Sequence, residues 1–292
     1  MTSQANTNSP LRDPRASAAK SRGIGKGLVF IGLCLLGVSF VLPFVWQVLM
    51  SLSTVADVDL LAQTGWPPVV KPENYPQVFE KVAFGRYFFN SVFVAGWVTL
   101  LQVITCSMAA YAFSRISWPG RERVFMLYLG TLMIPGVVLM VPNFAVILKL
   151  GMFNDYLGLI IPGAFSAYGT FLLRQFMLTI PSSLDEAAAI DGATHWGIFT
   201  RVILPLARPG LIVLAIFCFL GNYNSFFWPL ILTKSDNLRT LPIGLLTFDS
   251  TYGRETPLIM AASLMAMIPP VLIFLVLNKY LVKGIQIGAV KG

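Results

Sequence analysis

The chain has 292 residues, of which 56% are hydrophobic and 12% charged, and its mean hydropathy is +0.73. A soluble domain does not tolerate that balance, so composition excludes a water-soluble enzyme and indicates a polytopic membrane protein. The net charge of +8 comes with no basic stripe interleaved with stacking aromatics, which argues against nucleic acid as a partner and leaves membrane topology as its cause.

Residues 1–26 are polar and basic, cannot bury a core, and are expected to form a disordered cytoplasmic arm. Apolar runs follow at about 27–50, 87–113, 124–148, 157–177, 209–232 and 258–281. Each is roughly 20 or more residues long, enough for a helix to cross a hydrocarbon layer. The first is too long for a signal-peptide core and lacks a convincing small-residue cleavage site, so it is expected to be a retained anchor. The predicted fold is therefore all-α with six transmembrane helices in one domain over 27–282, plus a tail at 283–292. Placing both termini and the second and fourth loops on one side gives that side 14 of the 21 lysines and arginines, so it is expected to be cytoplasmic.

Residues 51–86 are the longest expected external loop, with "GWPPVVKPENYPQVF" supplying turns and interfacial aromatics. Proline and glycine then puncture the third run (Pro135, Gly136, Pro142), the fourth (Pro162, Gly163) and the sixth (Pro269, Pro270). Two readings fit equally: ordinary kinks, or helices packed around a cavity whose water and neighbours satisfy the freed carbonyls. Cys34, Cys106 and Cys218 lie far apart inside the runs and are expected as small buried hydrophobes. There is no phosphate loop, no HExxH and no plausible carboxylate pair, and the single histidine, His195, sits in a loop. An enzyme is not expected.

The loop at 179–208 carries "SLDEAAAIDGATHWG" from Ser183. Ser183 and Glu186 have the spacing of a capping box, and Gly192 suits the left-handed residue that ends a helix. A second short helix, about 194–204, is expected to stop at Pro205. A two-turn helix is marginal alone in water, so this hairpin needs something to pack against. Its alanines allow close approach, and Asp185, Glu186 and Asp191 ring them with negative charge, which suits a groove of a soluble partner lined with basic residues. Folding back onto the membrane domain is the alternative.

Glu186, Ala187, Ala188, Gly192, Val202, Leu204 and Pro205 match the register EAA-x3-G-x9-I-x-LP, with valine for isoleucine as the single departure. This resembles the signature of ABC-importer permeases. Residues 133–193 and the ending "KYLVKGIQIGAVKG" resemble the carbohydrate-importing, MalG-like, binding-protein-dependent branch. The resemblance covers roughly residues 27–292 and implies a multi-pass protein of the bacterial inner membrane. The implied partners are a homologous second permease, two cytoplasmic ATPase subunits and an external solute-binding protein. It further implies that Asp185, Glu186, Ala187, Ala188, Asp191 and Gly192 form a helix seated in an ATPase cleft. This chain would bind no cofactor, with ATP and Mg held by the ATPases, and the tail at 283–292 resembles one that reaches between them.

A passage for substrate is expected along "GNYNSFFWPL", where Asn222, Tyr223, Asn224 and Ser225 interrupt an apolar run beside Trp228. Amides in hydrocarbon face a cavity or another helix. Relatives often carry an acid here, which this chain lacks. The segment 233–256 is expected to be a loop that touches the binding protein. The expected solute is a sugar or sugar-like molecule, with glycerol phosphate as an alternative. A carrier or channel with a merely structural hairpin is the reading from another class.

Overall fold

The computed structural model describes residues 14–67, 69–252 and 255–277, and the side chains of all of these except 14–28 and 247–252. Among the described residues every regular element is helical. In chain order these are α1 (Pro14–Ser51), α2 (Val58–Thr64), α3 (Asn74–Lys81), α4 (Phe84–Arg115), α5 (Arg121–Gly130), α6 (Met140–Lys149), α7 (Tyr156–Ile160) and α8 (Ala167–Leu178). There follow α9 (Ser183–Ile190), α10 (His195–Ile198), α11 (Leu204–Leu206), α12 (Arg208–Tyr223), α13 (Phe227–Leu232), α14 (Leu241–Tyr252) and α15 (Thr256–Ala266). The helix begins at Pro14, so residues 14–26, expected in an unstructured arm, are helical. The expected tail at 283–292 lies outside the described residues.

Three helices are long and apolar enough to cross a membrane: Val29–Ser51, Phe84–Arg115 and Thr256–Leu277. Two bent pairs would raise the number to five, Tyr156–Ala164 with Ala167–Leu178 at 41° and His195–Leu206 with Arg208–Tyr223 at 76°. The third apolar run is not a single helix. Ile134 precedes Pro135 and takes an extended ψ of 116°, because the proline ring disfavours the helical region for the residue before it. The run therefore divides into α5 and α6. Pro269 and Pro270 leave Thr256–Leu277 as one span.

The centre of the bundle is α4, against which α8 and α12 pack along their lengths, while α1 lies outside on α15. One apolar cluster, built from Cys106, Tyr111, Leu173, Met177, Phe199 and Leu214, holds the α9 end of the bundle. A second, around Val78, Phe84, Tyr87, Tyr223, Leu241 and Leu258, holds the opposite end. A third, with Val98, Leu159, Cys218 and Leu232, lies between the helices that carry the breaks. Cys106 and Cys218 are buried as expected, but Cys34 is exposed on the outer helix.

The breaks are satisfied by polar side chains of α4. Gln102 Nε2 donates to Gly163 O at 2.9 Å and Thr105 Oγ1 to Ala164 O at 2.6 Å, where the turn containing Pro162 leaves carbonyls unpaired. At the far end Asn90 Nδ2 donates to the Asn237 and Arg239 carbonyls, at 2.9 and 2.8 Å, and Ser91 Oγ accepts from Leu241 N at 2.8 Å. That anchoring starts α14, so half of the segment expected as a loop over 233–256 is a helix. Likewise the expected loop at 51–86 contains α2 and α3, tied down by Asn74 Nδ2 donating to Ser51 O and Ser53 O.

Gly158 on α7 sits so close to the preceding turn that a β-carbon there would lie 2.2 Å from Met152 O. Gly158→Ala must displace backbone and is expected to cost about 1–3 kcal/mol, read as a lower melting midpoint in detergent. Gly85→Ala, with open space around it, is expected to leave that midpoint in place.

Candidate coupling surface and translocation cavity

The short helix α9 starts one residue earlier than a capping box would place it. Ser182 occupies the cap position and its side chain makes no capping bond, so the Ser183–Glu186 box does not form. The C-terminus follows the expectation. Gly192 has φ +82°, Ala193 N donates to Ala188 O at 2.9 Å, and Gly192 N donates to Ala189 O at 3.0 Å. These two bonds make a Schellman cap, which satisfies the last carbonyls through a left-handed glycine.

No residue of α9 is buried. Glu186, Ala187 and Ala189 are exposed, Ile190 is 87% exposed, and Asp191 and Gly192 at the cap are exposed as well. Asp185 and Ala188 face inward: Ala188 packs on the cluster around Tyr111 and Phe199, and Asp185 Oδ2 accepts from Arg115 Nη1 at 2.9 Å. Asp185 and Ala188 are thus set apart from the other four residues expected at a partner surface, Glu186, Ala187, Asp191 and Gly192.

Beyond the cap, Thr194 Oγ1 accepts from Gly197 N at 3.3 Å and starts α10. The helical path continues through a π turn at Phe199–Ile203, in which Leu204 N donates to Phe199 O, and it carries on past Pro205 to Leu206. The expected stop at Pro205 does not occur because the wider turn lies just ahead of the residue that lacks an N–H. Phe199 packs between Tyr111 and Trp196, at ring distances of 5.1 and 5.4 Å, and this seats the second half of the hairpin against α4.

A cavity of about 200 Å³ opens where the breaks meet, lined among others by Asn143, Asn222, Ser225, Trp228, Ser91 and Thr240. The fifth apolar run divides here, as α12 ends and α13 begins. Three of the five residues expected along a passage, Asn222, Ser225 and Trp228, line the cavity; Tyr223 and Asn224 do not. Tyr223 is buried and its hydroxyl donates to Ala266 O at 2.8 Å, bracing α15. Asn224 is exposed and donates to Leu220 O of its own helix at 3.0 Å. Successive helical residues point about 100° apart, so neighbours in a polar run diverge. The sequence reading does not single out Asn143, Ser91 or Thr240; Asn143, a lone polar residue in an apolar run, carries a signal, whereas Ser91 adjoins Asn90 and Thr240 lies in a polar connection. Among the described residues, no charged side chain lines the cavity.

Residues 102–287 match the model of the "binding-protein-dependent transport system inner membrane component" family. The chain belongs to that family. It is an inner-membrane permease of the ABC-importer type, and the reading as a carrier or channel falls. The permease is 36% identical over 227 residues to the arabinooligosaccharides transport system permease protein AraQ of Halalkalibacterium halodurans, covering 77% of this chain and 81% of that one. It is 35% identical over 277 residues to the trehalose/maltose transport system permease protein MalG of Thermococcus litoralis, covering 91% and 96%. Its fold is similar to that of a chain in the crystal structure of a bacterial ABC transporter that imports the polysaccharide alginate. That match has a TM-score of 0.78 and 23% identity and covers 93% and 99% of the two chains.

The family match includes the whole hairpin and most of the cavity lining. At Gly192 of the permease a β-carbon would meet nothing within 4 Å, so the constraint there is its positive φ alone. A left-handed alanine costs about 1–2 kcal/mol, asparagine less and a β-branched residue more. Uptake by cells carrying Gly192→Asn, Gly192→Ala and Gly192→Val is expected to fall in that order at equal membrane abundance.

Proposed function

We propose that this chain is a transmembrane subunit of an ATP-driven importer of a sugar or sugar-like solute, and that α9 is its contact with one of two cytoplasmic ATPase subunits. The observation that carries this is the pose of α9: a capped, two-turn helix whose outer face of Glu186, Ala187, Ala189 and Ile190 is exposed. A helix this short and this exposed is stabilised by a partner rather than by its own propensity. ATP and Mg would sit on the ATPases, and this subunit would perform no bond chemistry. ATP binding would draw the paired coupling helices together and favour the outward-open state; hydrolysis would release it.

The arginines Arg115, Arg121, Arg123 and Arg174 cluster at the α9 end, which supports placing that end and both termini in the cytoplasm. The broken third run leaves Met126, Leu127, Met133, Val137 and Val141 between 67% and 85% exposed. A second, homologous permease would cover part of this face and would complete a passage of which the cavity here is one half. The external solute-binding protein would dock at the opposite end, near α14. The names of AraQ and MalG support a glycoside as cargo. The uncharged cavity supports a neutral polyol over glycerol phosphate, since a phosphate brings about two charges that need cationic partners.

The deciding experiment is affinity purification of the tagged chain in mild detergent beside Glu186→Lys and Gly192→Asp, with mass spectrometry of what accompanies each. An ATPase and a second permease are expected with the native chain, and the ATPase is expected to drop away from both variants, with uptake abolished and insertion intact. A native chain that elutes alone under several gentle conditions, or variants with normal uptake, would refute the assignment. Within the cavity, Trp228→Ala is expected to lower sugar uptake about tenfold without releasing the ATPase, as loss of one aromatic stacking face predicts.

A further inference from the structure

We propose that Arg115 and Asp185 form a strut that transmits movement of α9 into α4 and α8, a positioning pair for transport; the proposal rests on the importer reading above. Arg115 is the last residue of α4. Its Nη2 donates to the carbonyls of Met177 at 2.5 Å and Ile180 at 2.7 Å, where α8 has ended, and its Nη1 donates to Asp185 at 2.9 Å. One guanidinium thus joins the ends of two long helices to the first turn of the coupling helix. A second arginine makes the reverse connection: Arg174 of α8 donates to Phe113 O of α4 at 3.1 Å and to both oxygens of Glu122 at the start of α5, at 2.8 and 3.0 Å. Its guanidinium carbon lies 4.1 Å from the centroid of the Phe125 ring. The pair of arginines locks α4 to α8 in both directions, and Arg115 alone extends the lock to α9.

Stability alone does not account for this pair. The Arg115 side chain is 8% exposed and that of Asp185 21%, yet Arg115 Nε and Asp185 Oδ1 are buried without partners. An apolar contact of similar volume would hold the two elements without that desolvation cost. What the ion pair supplies is direction. The planar fork fixes both the distance and the azimuth of α9, whereas the other inward residue, Ala188, offers a smooth surface that slides. Asp185 is therefore assigned inward as a strut rather than to the ATPase face.

The test uses the complete transporter in proteoliposomes with its binding protein, comparing Asp185→Asn and Arg115→Met with native. Solute uptake and ATP hydrolysis are measured in the same vesicles, and ATPase retention on the purified complex is measured in parallel. Both variants are expected to retain the ATPase while solute moved per ATP falls about tenfold, a size typical of losing one coupling contact. A native ratio in either variant overturns the strut. Loss of the ATPase from Asp185→Asn also overturns it, by making Asp185 a docking contact. Should Arg115→Met fail to insert, Asp185→Asn decides alone, because it leaves both carbonyl bonds of Arg115 in place. A native complex that holds no ATPase refutes the coupling reading itself, and the strut with it.

Discussion

Backbone carbonyls that lose their helical partners inside hydrocarbon must find other donors, and in this protein α4 supplies them. Asn90, Gln102, Thr105 and Arg115 lie along that one helix, and each donates to backbone where another element has ended or broken. Three departures from a simple bundle depend on these bonds. The turn between α7 and α8 rests on Gln102 and Thr105, the start of α14 on Asn90 and Ser91, and the end of α8 on Arg115. Without such donors each exposed carbonyl would cost several kcal/mol in lipid, by order of magnitude, and uninterrupted helices would be favoured.

The breaks in turn create the space for function. An uninterrupted pair of helices would close over the region where Asn143, Asn222 and Ser225 now line a cavity. The helix that satisfies those breaks also ends at the arginine that holds α9. Cavity and α9 are therefore tied to one helix, α4, which lines the first with Ser91 and Val94 and holds the second through Arg115. In the proposed cycle this matters because a ligand shifts a conformational equilibrium only through differential contacts with the two states. In that cycle ATP closure would act on α9, whose contacts toward the cavity run through α4 and α8.

The end of α9 was legible in the sequence because its signal is local. Gly192 ends a helix for a reason confined to its own φ angle, whereas the hairpin as a whole is seated by Ala188 and Phe199 against the cluster around Tyr111. The errors arose where tertiary contacts decide. Ser183 has the spacing of a cap, but the helix already includes it and starts after Ser182, with Asp185 and Ala188 held by tertiary contacts. Tyr223 and Asn222 read alike as polar residues in an apolar run, although one braces α15 and the other lines the cavity. Apolar length alone counted 124–148 as a span, when the local rule for a residue before proline already argued against a continuous helix there. The donors of α4 could not be recognised at all, since a polar side chain in a span names no partner until the fold supplies one.

Among the described residues, charged and polar ties hold both ends of the molecule and leave its middle uncharged. At the α9 end, ion pairs and arginine-to-carbonyl bonds set rigid geometry between helices. At the opposite end Lys81 pairs with Glu255, the Tyr87 hydroxyl donates to Asp236 at 2.9 Å, and Asn154, with φ +56°, accepts from Lys234 N and Ser235 N at 2.8 Å and so pins the turn that leads toward α14. Between them the cavity carries amides, hydroxyls and one indole. A passage of that kind can exchange hydrogen bonds with a polyol at each step without a deep electrostatic well, and a solute that must leave as readily as it enters is served by many weak contacts rather than by one strong one.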